Sequence, residues 1–374
     1  MKNLETLIQE LCPNGVEFVK LGDVLDYEQP TKYIVKCKDY QNEGMPVLTA
    51  GQTFILGYTD ETNGIFEASK ENPVIIFDDF TTSFHWVDFN FKVKSSAMKM
   101  LRVLSEREVS FRFVYYAMKC IKYQTLEHSR QWISKYSQIE IPLPPLEVQT
   151  EIVRILDKFT SLEAELEAEL DCRKRQYEYY RDKLLSFDNE GGQEVEWKTL
   201  GELAEIGTGS SNTKDGLSEG LYPFYTRGQE VLRKNEYEFD DEAIITAGDG
   251  VGVGKVIHYV KGKYALHQRA YRFKPGDLLN ARFLYFYMTS TFYKYVCGNS
   301  VSSSVSSLRK PRLLKYPIPL LPMQEQIRIV SILDRFESLT TSLQSGLPAE
   351  IAARRQQYEH YRDKLLTFKR KGAV

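Results

Sequence analysis

The sequence lacks the features that mark secreted, membrane-spanning and zinc-binding proteins. Its five cysteines are scattered, with no pair at C-x-x-C spacing, so we expect reduced, structural thiols. No apolar run approaches the roughly 18 residues that a membrane span requires, and the first residues do not read as a signal peptide. We therefore expect a globular protein of the cytoplasm that has no membrane partner.

Net charge is also small, since 49 Lys and Arg residues against 51 Asp and Glu residues leave a formal charge of −2. This sum gives no overall electrostatic attraction to nucleic acid, so the positions of the charges matter more than the total. Acidic residues occupy alternate positions from Glu163 to Asp171. We expect that acidic face to meet protein or solvent rather than DNA.

A nucleotide-binding motif is missing as well. Residues 248–255 are rich in glycine, but Val256 follows Lys255 where a Walker loop has Ser or Thr. A strand pattern then begins at the point where a phosphate-binding loop would lead into a helix. We predict instead a glycine-rich turn between two strands, in which the backbone can approach DNA closely.

The other candidate catalytic motifs also lack residues that their chemistry requires. The five histidines show no metal-ligand spacing, and Asp78-Asp79 is not followed by the Glu-x-Lys of a metal-dependent nuclease. The Pro144-Pro145 pair lacks the polar and aromatic residues of an amino-methyltransferase loop. We predict that this chain contains no catalytic residue and no metal ligand.

What the sequence does contain is a tandem repeat. Residues 175–187 return with few changes as residues 356–368, and an Ile-Pro-Leu tripeptide lies upstream of each copy. Between these blocks the second copy has gained about four residues, or roughly one helical turn, which preserves the helix face. Shorter matches precede each helix, so the order is globular unit, helix, globular unit, helix.

Both helix copies carry an apolar seam. In the first copy the seam positions recur at alternating spacings of three and four, with Glu163 and Arg173 at two of them and apolar residues at the others, which is a heptad pattern. The apolar residues are Phe159, Leu166, Leu170, Tyr177, Tyr180, Leu184 and Phe187. A helix over residues 146–187 would be roughly 60 Å long, too long for one small core to cover.

We therefore predict that the two long helices pack together as an intramolecular antiparallel coiled coil. Gly346 and Pro348 should break or kink the second helix, where the extra turn falls. The alternative is that each apolar stripe packs only on its own neighbouring domain.

The predicted fold class is α/β, with two mixed α/β domains separated by the two long helices. Each domain alternates β-rich runs with polar turns and has one helix-like aromatic segment. The predicted bounds are 1–144 for the first domain, 145–187 for the first long helix, 188–318 for the second domain and 319–374 for the second long helix.

Polar, aromatic and basic loops in both domains have a composition suited to DNA recognition. Arg and Lys can reach guanine edges, Gln and Asn can reach adenine edges, and Ser, Lys and Arg can reach phosphates. The candidates are Thr81, Thr82, Ser83, Ser129, Arg130, Gln131 and Lys135 in the first domain, and Arg227, Gln229, Gln268, Arg269, Ser303, Ser304, Arg309 and Lys310 in the second. The alternative for each of these residues is that it lies on solvated surface and contacts no base. Because the framework repeats while the loops differ, we expect two similar surfaces with different recognition chemistry.

Several motifs together resemble the specificity subunit of type I restriction-modification systems. They are Ile-Pro-Leu-x-Pro-Leu/Met-x-x-Gln before each long helix, the Ile-Leu-Asp-x-Phe that follows, Gln-Tyr-Glu-x-Tyr-Arg-Asp-Lys-Leu-Leu at each helix end, and Cys-Pro-Asn-Gly-Val-Glu-Phe from Cys12. The resemblance covers the whole chain. It implies two target recognition domains, each reading one half of a bipartite, non-palindromic site in double-stranded DNA. Antiparallel helices would relate the two domains by pseudo-twofold symmetry, like the approximate dyad of the duplex.

The same resemblance implies the partners and the cofactors. The two helices would act as a ruler and dock two methyltransferase subunits, and motor-nuclease subunits would complete the restriction enzyme. S-adenosylmethionine, ATP and Mg²⁺ are then expected on the partner subunits, and this chain is expected to hold no cofactor and to be non-catalytic by itself. The candidate docking residues are Tyr177, Tyr180, Tyr358 and Tyr361.

Two other classes of function stay open at this point. One is a coiled-coil scaffold that organises partners without reading bases. The other is a restriction-modification enzyme fused to its own chemistry, which the missing motifs disfavour.

Overall fold

A computed structural model describes residues 4–51, 53–104, 108–125, 129–187, 195–298, 307–342 and 345–372. The chain divides into two units. The first unit contains Met1–Glu165 and Ala352–Val374, and the second contains Leu166–Ile351. Both units mix helices and sheets, so the predicted fold class is confirmed.

The first unit is built on mostly antiparallel strands and two short helices. Its strands are β1 (Glu17–Lys20), β2 (Leu25–Glu28), β3 (Met45–Leu48), β4 (Ile55–Thr59), β5 (Val74–Asp78), β6 (Phe84–Val87), β7 (Lys92–Val93), β8 (Met98–Val103) and β9 (Glu140–Leu143). Its short helices are α1 (Leu4–Leu11) and α2 (Phe111–Lys119). One sheet has the order β2-β8-β5-β6 and another has the order β4-β3-β7, while β1 pairs with β9.

Strand β5 lies at the centre of the first unit because its apolar run can be buried on both faces. Successive side chains of a strand point to opposite faces. Ile75 and Phe77 accordingly join a cluster with Phe113 of α2, while Val74 and Ile76 join a second cluster on the other face. All four strand side chains are fully buried. This doubly covered strand fixes the position of the turn that follows it.

The first long helix, α3 (Leu146–Leu185), begins in the first unit and ends in the second. The strands of the second unit are β10 (Glu196–Thr199), β11 (Ala204–Thr208), β12 (Tyr222–Tyr225), β13 (Leu232–Lys234), β14 (Phe239–Ala247), β15 (Ile257–Leu266), β16 (Ala270–Pro275) and β17 (Pro317–Leu320). The remaining helices are α4 (Leu200–Leu203), α5 (Ala281–Cys297), α6 (Lys310–Leu314), α7 (Met323–Thr341) and α8 (Leu347–Leu365).

The second unit has one large sheet of order β11-β16-β14-β15-β12-β13, and β10 pairs with β17. Ile244 on β14 and Phe273 on β16 pack under α5, whose buried side chains include Phe283 and Phe286. The β10–β17 pair repeats the β1–β9 pair of the first unit, because in both cases the Ile-Pro-Leu strand before a long helix returns to the start of its unit.

A buried glutamine explains the Gln of the repeated motif before each long helix. Gln149 Oε1 accepts a hydrogen bond from Ser110 N at 2.9 Å, and its Nε2 donates to Pro144 O at 2.7 Å. Gln326 makes the same pair of contacts in the second unit, accepting from Asn280 N at 2.8 Å and donating to Leu321 O at 2.8 Å. Each glutamine therefore joins the start of a long helix to the N-terminus of the shorter helix beside it.

An arginine–aspartate pair explains the Asp of the Ile-Leu-Asp motif. Arg112 Nε on α2 lies 2.8 Å from Asp157 Oδ1 on α3, and Arg282 Nε on α5 lies 2.7 Å from Asp334 Oδ1 on α7. Each guanidinium also lies over aromatic rings, at 4.7 Å from the ring centroid of Trp86 in the case of Arg112. The repeated sequence motif therefore fastens each long helix to its own unit.

Helix-to-helix contacts occur within each unit. In the first unit Phe159 on α3 stacks on Tyr361 of α8 with ring centroids 5.5 Å apart, and Glu163 forms an ion pair with Arg355. Residue numbers rise along one helix as they fall along the other, so these segments are antiparallel. In the second unit Tyr180 on α3 stacks on Phe336 of α7 at 5.8 Å. A coiled coil along the full length of the helices stays a prediction.

The predicted interruption of the second helical region is confirmed. Helix α7 ends at Thr341 and α8 begins at Leu347, so the range 319–374 contains two helices. Gly346 has φ +104°, and a Cβ built on it would lie 2.6 Å from the backbone oxygen of Ser338. Only glycine fits this positive φ and this close backbone contact without strain.

Within the described residues, no helix combines the length and the apolar character that crossing a bilayer requires.

Candidate nucleic-acid interface

The two units share a strand hairpin that ends in a polar turn. Strands β5 and β6 pair with Ile76 opposite His85, and β14 and β15 pair with Ile245 opposite His258. The registers match because the apolar pairs Ile75-Ile76 and Ile244-Ile245 occupy the same place in the two sheets. The turns after β5 and β14 are therefore equivalent positions of the repeat.

Each of these histidines also holds a second loop beside the turn. His85 Nε2 lies 2.9 Å from Gly51 O, and His258 Nε2 lies 3.2 Å from Gly228 O. A carbonyl oxygen only accepts, so Nε2 is the protonated nitrogen in both rings. Burial lowers the pKa of both His85 and His258, with partial compensation from the carbonyl. Gly51 and Gly228 therefore lie at the edge of the two turns.

In the first unit the turn between β5 and β6 displays Thr81, Thr82 and Ser83. Asp78 Oδ1 accepts hydrogen bonds from Phe80 N at 2.9 Å and Thr81 N at 2.8 Å, which closes the turn. Thr82 has φ +60°, and among the described residues it is the one non-glycine residue with positive φ. Such a conformation costs on the order of 1 kcal/mol and often marks a functional turn. The Thr81 side chain is exposed, and those of Thr82 and Ser83 are half-buried.

The second polar segment of the first unit, residues 129–135, is tied to that turn by Asp79. Asp79 O accepts from Gln131 N at 2.8 Å, and its Oδ1 accepts from Trp132 N at 2.9 Å. Asp79 is fully buried, and its Oδ2 lies 3.5 Å from the Nζ of buried Lys99. The structure thus brings together two loops that are about fifty residues apart in the sequence.

Arg130 and Lys135 lie on the exposed side of this segment. Arg130 Nη1 is 3.9 Å from Asp79 Oδ2, while 51% of its side chain stays exposed. Lys135 is also exposed, and Ser129 is half-buried. These side chains and the Thr81–Ser83 turn form the exposed polar face of the first unit.

Gln131 is buried, although its sequence position predicted a base-contacting residue. It is 1% exposed, its Nε2 donates to Ser129 O at 2.6 Å, and its Oε1 accepts from Tyr123 OH at 2.9 Å. A buried amide with these partners offers no free edge to a base. We therefore correct its candidate role: Gln131 supports the segment that carries Arg130.

In the second unit the candidate residues Arg227 and Arg269 meet at one carboxylate. Arg227 Nη1 lies 2.8 Å from Asp249 Oδ1, and Arg269 Nη1 lies 3.0 Å from Asp249 Oδ2. Burial alone would raise the pKa of Asp249, but hydrogen bonds from the two guanidinium groups bring it below its ordinary value. The side chains of Arg227 and Arg269 remain 40% and 63% exposed. They form a cationic surface beside the turn after β14.

Residues 307–310 reach the same turn. Leu308 N donates to Gly248 O at 2.8 Å, in the way that Gln131 N donates to Asp79 O in the first unit. This contact places the exposed side chains of Arg309 and Lys310, at the start of α6, near the turn. The candidates Ser303 and Ser304 lie outside the described residues.

The glycine-rich stretch forms a turn between strands, as predicted. It joins β14 to β15, and Gly250 and Gly254 have φ values of +78° and +73°. Val251 at its tip is 96% exposed, an unusual position for an apolar side chain. The neighbouring candidates Gln229 and Gln268 are exposed as well.

Sequence reasoning missed Asp79, Asp249 and Val251 as parts of this face. The two aspartates have no motif around them, because their partners come from distant segments. One signal could have pointed to Asp249. The second copy has Arg227 where the first copy has Ala50, and a positive charge added to an otherwise repeated segment calls for an acidic partner nearby.

The four candidate docking tyrosines fall into two kinds. Tyr177 and Tyr358 are partly buried against their own units, and burial raises the pKa of both, to about 12 for Tyr177. Tyr180 and Tyr361 are 39% and 42% exposed. The exposed pair is therefore the better placed for contact with another protein.

Among the described residues, no group of three or more His, Cys, Asp or Glu side chains is arranged to hold a metal ion.

Comparison with known proteins gives one consistent family. The family model described as "Type I restriction modification DNA specificity domain" matches residues 13–171 and again residues 193–353. The "Type I restriction enzyme EcoR124I/EcoR124II specificity subunit" of Escherichia coli is 43% identical over 100% of this chain and 99% of its own length.

Solved structures show the same fold. The S subunit of a type I restriction-modification system from M. genitalium aligns with a TM-score of 0.62 at 18% identity, over 94% of this chain and 96% of that one. A second chain, from a structure that concerns complex assembly and conformational transition of the type I R-M system, aligns with a TM-score of 0.54 at 18% identity, over 95% and 98% of the two chains.

Proposed function

The chain belongs to the type I restriction-modification specificity subunit family, and from that premise we propose that each of its two units reads one half of a bipartite site in double-stranded DNA. The main support is the repeated hairpin turn. Both units hold it with the same histidine–carbonyl contact, yet surround it with different exposed side chains. A shared framework with different polar loops suits two half-sites of different sequence.

In this proposal base contacts come from side chains that are exposed around each turn. Arg130, Lys135 and the Thr81–Ser83 turn serve the first half-site, and Arg227 and Arg269 serve the second. Arginine and lysine supply both phosphate contacts and guanine contacts, while Thr and Ser supply shorter hydrogen bonds. Gln229, Gln268, Arg309 and Lys310 lie near enough to the second turn to contribute.

We further propose that the long helices set the gap between half-sites and dock two methyltransferase subunits. The exposed rings of Tyr180 and Tyr361 are the proposed contact points, because large aromatic side chains are favoured at protein interfaces. Motor-nuclease subunits would join through that complex. One structural neighbour comes from a structure that concerns complex assembly of the type I system, which agrees with this arrangement.

Chemistry would then belong to the partners, with S-adenosylmethionine, ATP and Mg²⁺ on their subunits and no cofactor on this chain. The chain would act in the cytoplasm as a non-catalytic subunit. The proposed domain bounds are 1–144 and 188–318, and the proposed helical bounds are 145–187 and 319–374.

The test is adenine methylation mapping in cells that carry this chain with its cognate methyltransferase, compared with cells that lack only this chain. We expect a two-part motif with an unspecified gap to disappear when the chain is absent. Exchange of residues 1–144 for those of a relative should then change one half of the motif, and exchange of residues 188–318 should change the other. Methylation that is unchanged without the chain would instead favour a scaffold that does not read bases.

A further inference from the structure

Three equivalent positions of the two units differ together in charge. Their equivalence follows from the repeated Thr-x-Gly segment and from two backbone hydrogen bonds, Asp79 N to Ala97 O and Gly248 N to Arg269 O. The three positions are Arg227, Asp249 and Arg269 in the second unit, and Ala50, Phe80 and Ala97 in the first. A charged cluster therefore occupies one turn, while uncharged residues occupy the same places at the other.

The three charged residues come from three separate loops. Arg227 follows β12, Asp249 follows β14, and Arg269 precedes β16. Each guanidinium uses Nη1 on its own oxygen of Asp249, at 2.8 Å and 3.0 Å. Arginine carries five N–H donors, so a guanidinium held through one nitrogen keeps donors to present to a ligand. The 40% and 63% exposure of the two side chains shows that they reach solvent.

We infer that Arg227 and Arg269 read guanine in the half-site bound by the second unit, and that Asp249 is the positioning residue that holds them for it. This inference rests on the proposed function. Arginine bonded to guanine O6 and N7 is the commonest specific contact in the major groove. Two arginines fixed to one carboxylate present their donors at a set separation, as recognition of neighbouring bases requires.

Asp249 has a second effect through its charge. Two positive charges and one negative charge leave a net single positive charge in the cluster. The carboxylate therefore weakens attraction to any phosphate, while it keeps both guanidinium groups in place. Discrimination between sequences rises when sequence-independent attraction falls, because the affinity for non-cognate DNA comes mainly from phosphate contacts.

Lysine variants of the arginines test the base contact. Arg227→Lys and Arg269→Lys keep the charge but lose the planar fork that suits bidentate contact. In the assembled methyltransferase complex, we expect each to lower the ratio of cognate to non-cognate DNA affinity by about tenfold or more. The slope of log affinity against log salt should stay unchanged. Methylation mapping should show relaxed preference at a guanine-containing position of one half-site, with the other half-site unaltered.

Asp249→Asn tests the positioning role. Asparagine keeps the size of the side chain but removes the charge, so affinity for non-cognate DNA should increase and the salt slope should steepen, while discrimination falls by about tenfold. A carboxylate that acted through its charge alone would raise the affinity for cognate and non-cognate DNA alike when it is removed, so the fall in discrimination is the readout of the positioning role. Asp277→Asn is the matched control, because Asp277 is an exposed acid just beyond the opposite end of β16. It should change neither quantity.

Three results would overturn the inference. They are a second half-site without guanine on either strand, lysine variants that retain the full target sequence, and Asp249→Asn with unchanged non-cognate affinity. Methylation by the wild-type complex distinguishes failure of this inference from failure of the proposed function. If wild-type methylation shows no motif that depends on the chain, the proposed function fails; if the motif is present and all three variants preserve it, only this inference fails.

Discussion

His85 Nε2 on β6 lies 2.9 Å from the carbonyl oxygen of Gly51, which belongs to the loop between β3 and β4, 34 positions earlier in the chain. The ring also stacks on Phe54 with centroids 4.6 Å apart. One side chain thereby couples the strand hairpin to the neighbouring loop. The same contact between His258 and Gly228 in the second unit shows that it belongs to the shared framework rather than to either recognition surface.

This histidine framework predicts a loss of stability in mild acid. Burial lowers the pKa of His85, His258 and His267, so below about pH 6.5 the unfolded chain binds more protons than the folded chain. Stability should therefore be full above about pH 6.5 and should fall as the pH drops from there through the lower folded-state pKa values. We expect urea unfolding between about pH 7.5 and 5 to show this loss.

Glutamine variants isolate the histidine contribution, because a Gln amide can still donate to the carbonyl. His85→Gln and His258→Gln together should flatten the pH dependence of the free energy of unfolding. His360→Gln, on an exposed position of α8, is the control and should leave the profile as it is. A double variant with the wild-type slope would show that other groups cause the acid loss.

Gln326 should be needed for stability of the second unit. Gln326→Leu keeps a similar volume but leaves the partly buried N–H of Asn280 and carbonyl of Leu321 without the buried amide that bonds each of them at 2.8 Å. Unpaired buried groups cost about 1–3 kcal/mol each, so we expect a loss of about 2 kcal/mol or more in urea unfolding. Gln324→Leu, exposed on the same helix, should change the free energy by less than about 0.5 kcal/mol. Equal effects of the two variants would refute the role of this contact.

Gly346 should tolerate no side chain at the interruption between α7 and α8. Gly346→Ala places a Cβ within 2.6 Å of Ser338 O and 2.8 Å of Leu339 O, at a φ of +104°. Both contacts are with backbone, so the end of α7 must shift, and we expect a cost of about 1–3 kcal/mol. Gly207→Ala has no atom within 4 Å of the added Cβ and serves as the control. Amide hydrogen exchange over α7 should accelerate in the first variant alone.

Local patterns made much of this fold predictable. The repeated motifs, the long helices, the interruption at Gly346 and the strand-to-strand turn around Gly250 all depend on residues that are neighbours in the chain. The glycine positions were informative because a positive φ selects glycine strongly. Such features need no knowledge of which distant segments meet.

The parts that escaped prediction depend on distant contacts. Gln131 is of a residue type that can read bases, but the sequence does not reveal that its amide is buried and hydrogen-bonded to Tyr123 and Ser129. Asp249 looks like one residue of a flexible turn until folding brings Arg227 and Arg269 to it. The apolar seam was also ambiguous: Phe159 contacts another helix, whereas Leu184 packs against the core of its own unit, so the seam residues do not all have the same kind of partner.

Val251 offers the sharpest test of whether the turn after β14 faces DNA. At 96% exposure it contributes nothing to the core, so Val251→Asp should leave the free energy of unfolding within about 0.5 kcal/mol of wild type. A carboxylate at this tip would nevertheless lie near phosphates and would replace a side chain suited to apolar contact with a thymine methyl group. We expect the assembled methyltransferase complex to bind cognate DNA about tenfold more weakly, as measured by titration at fixed salt.

The matched control is Leu221→Asp. Leu221 is 72% exposed and lies before β12, at the opposite end of the strand from the loop that carries Arg227. The same charge is added to the same unit, so any effect of net charge alone should appear in both variants. Only Val251→Asp should weaken binding if the turn contacts DNA. Equal loss in the two variants would mean that the added charge acts through long-range repulsion and that the tip of the turn lies away from the duplex.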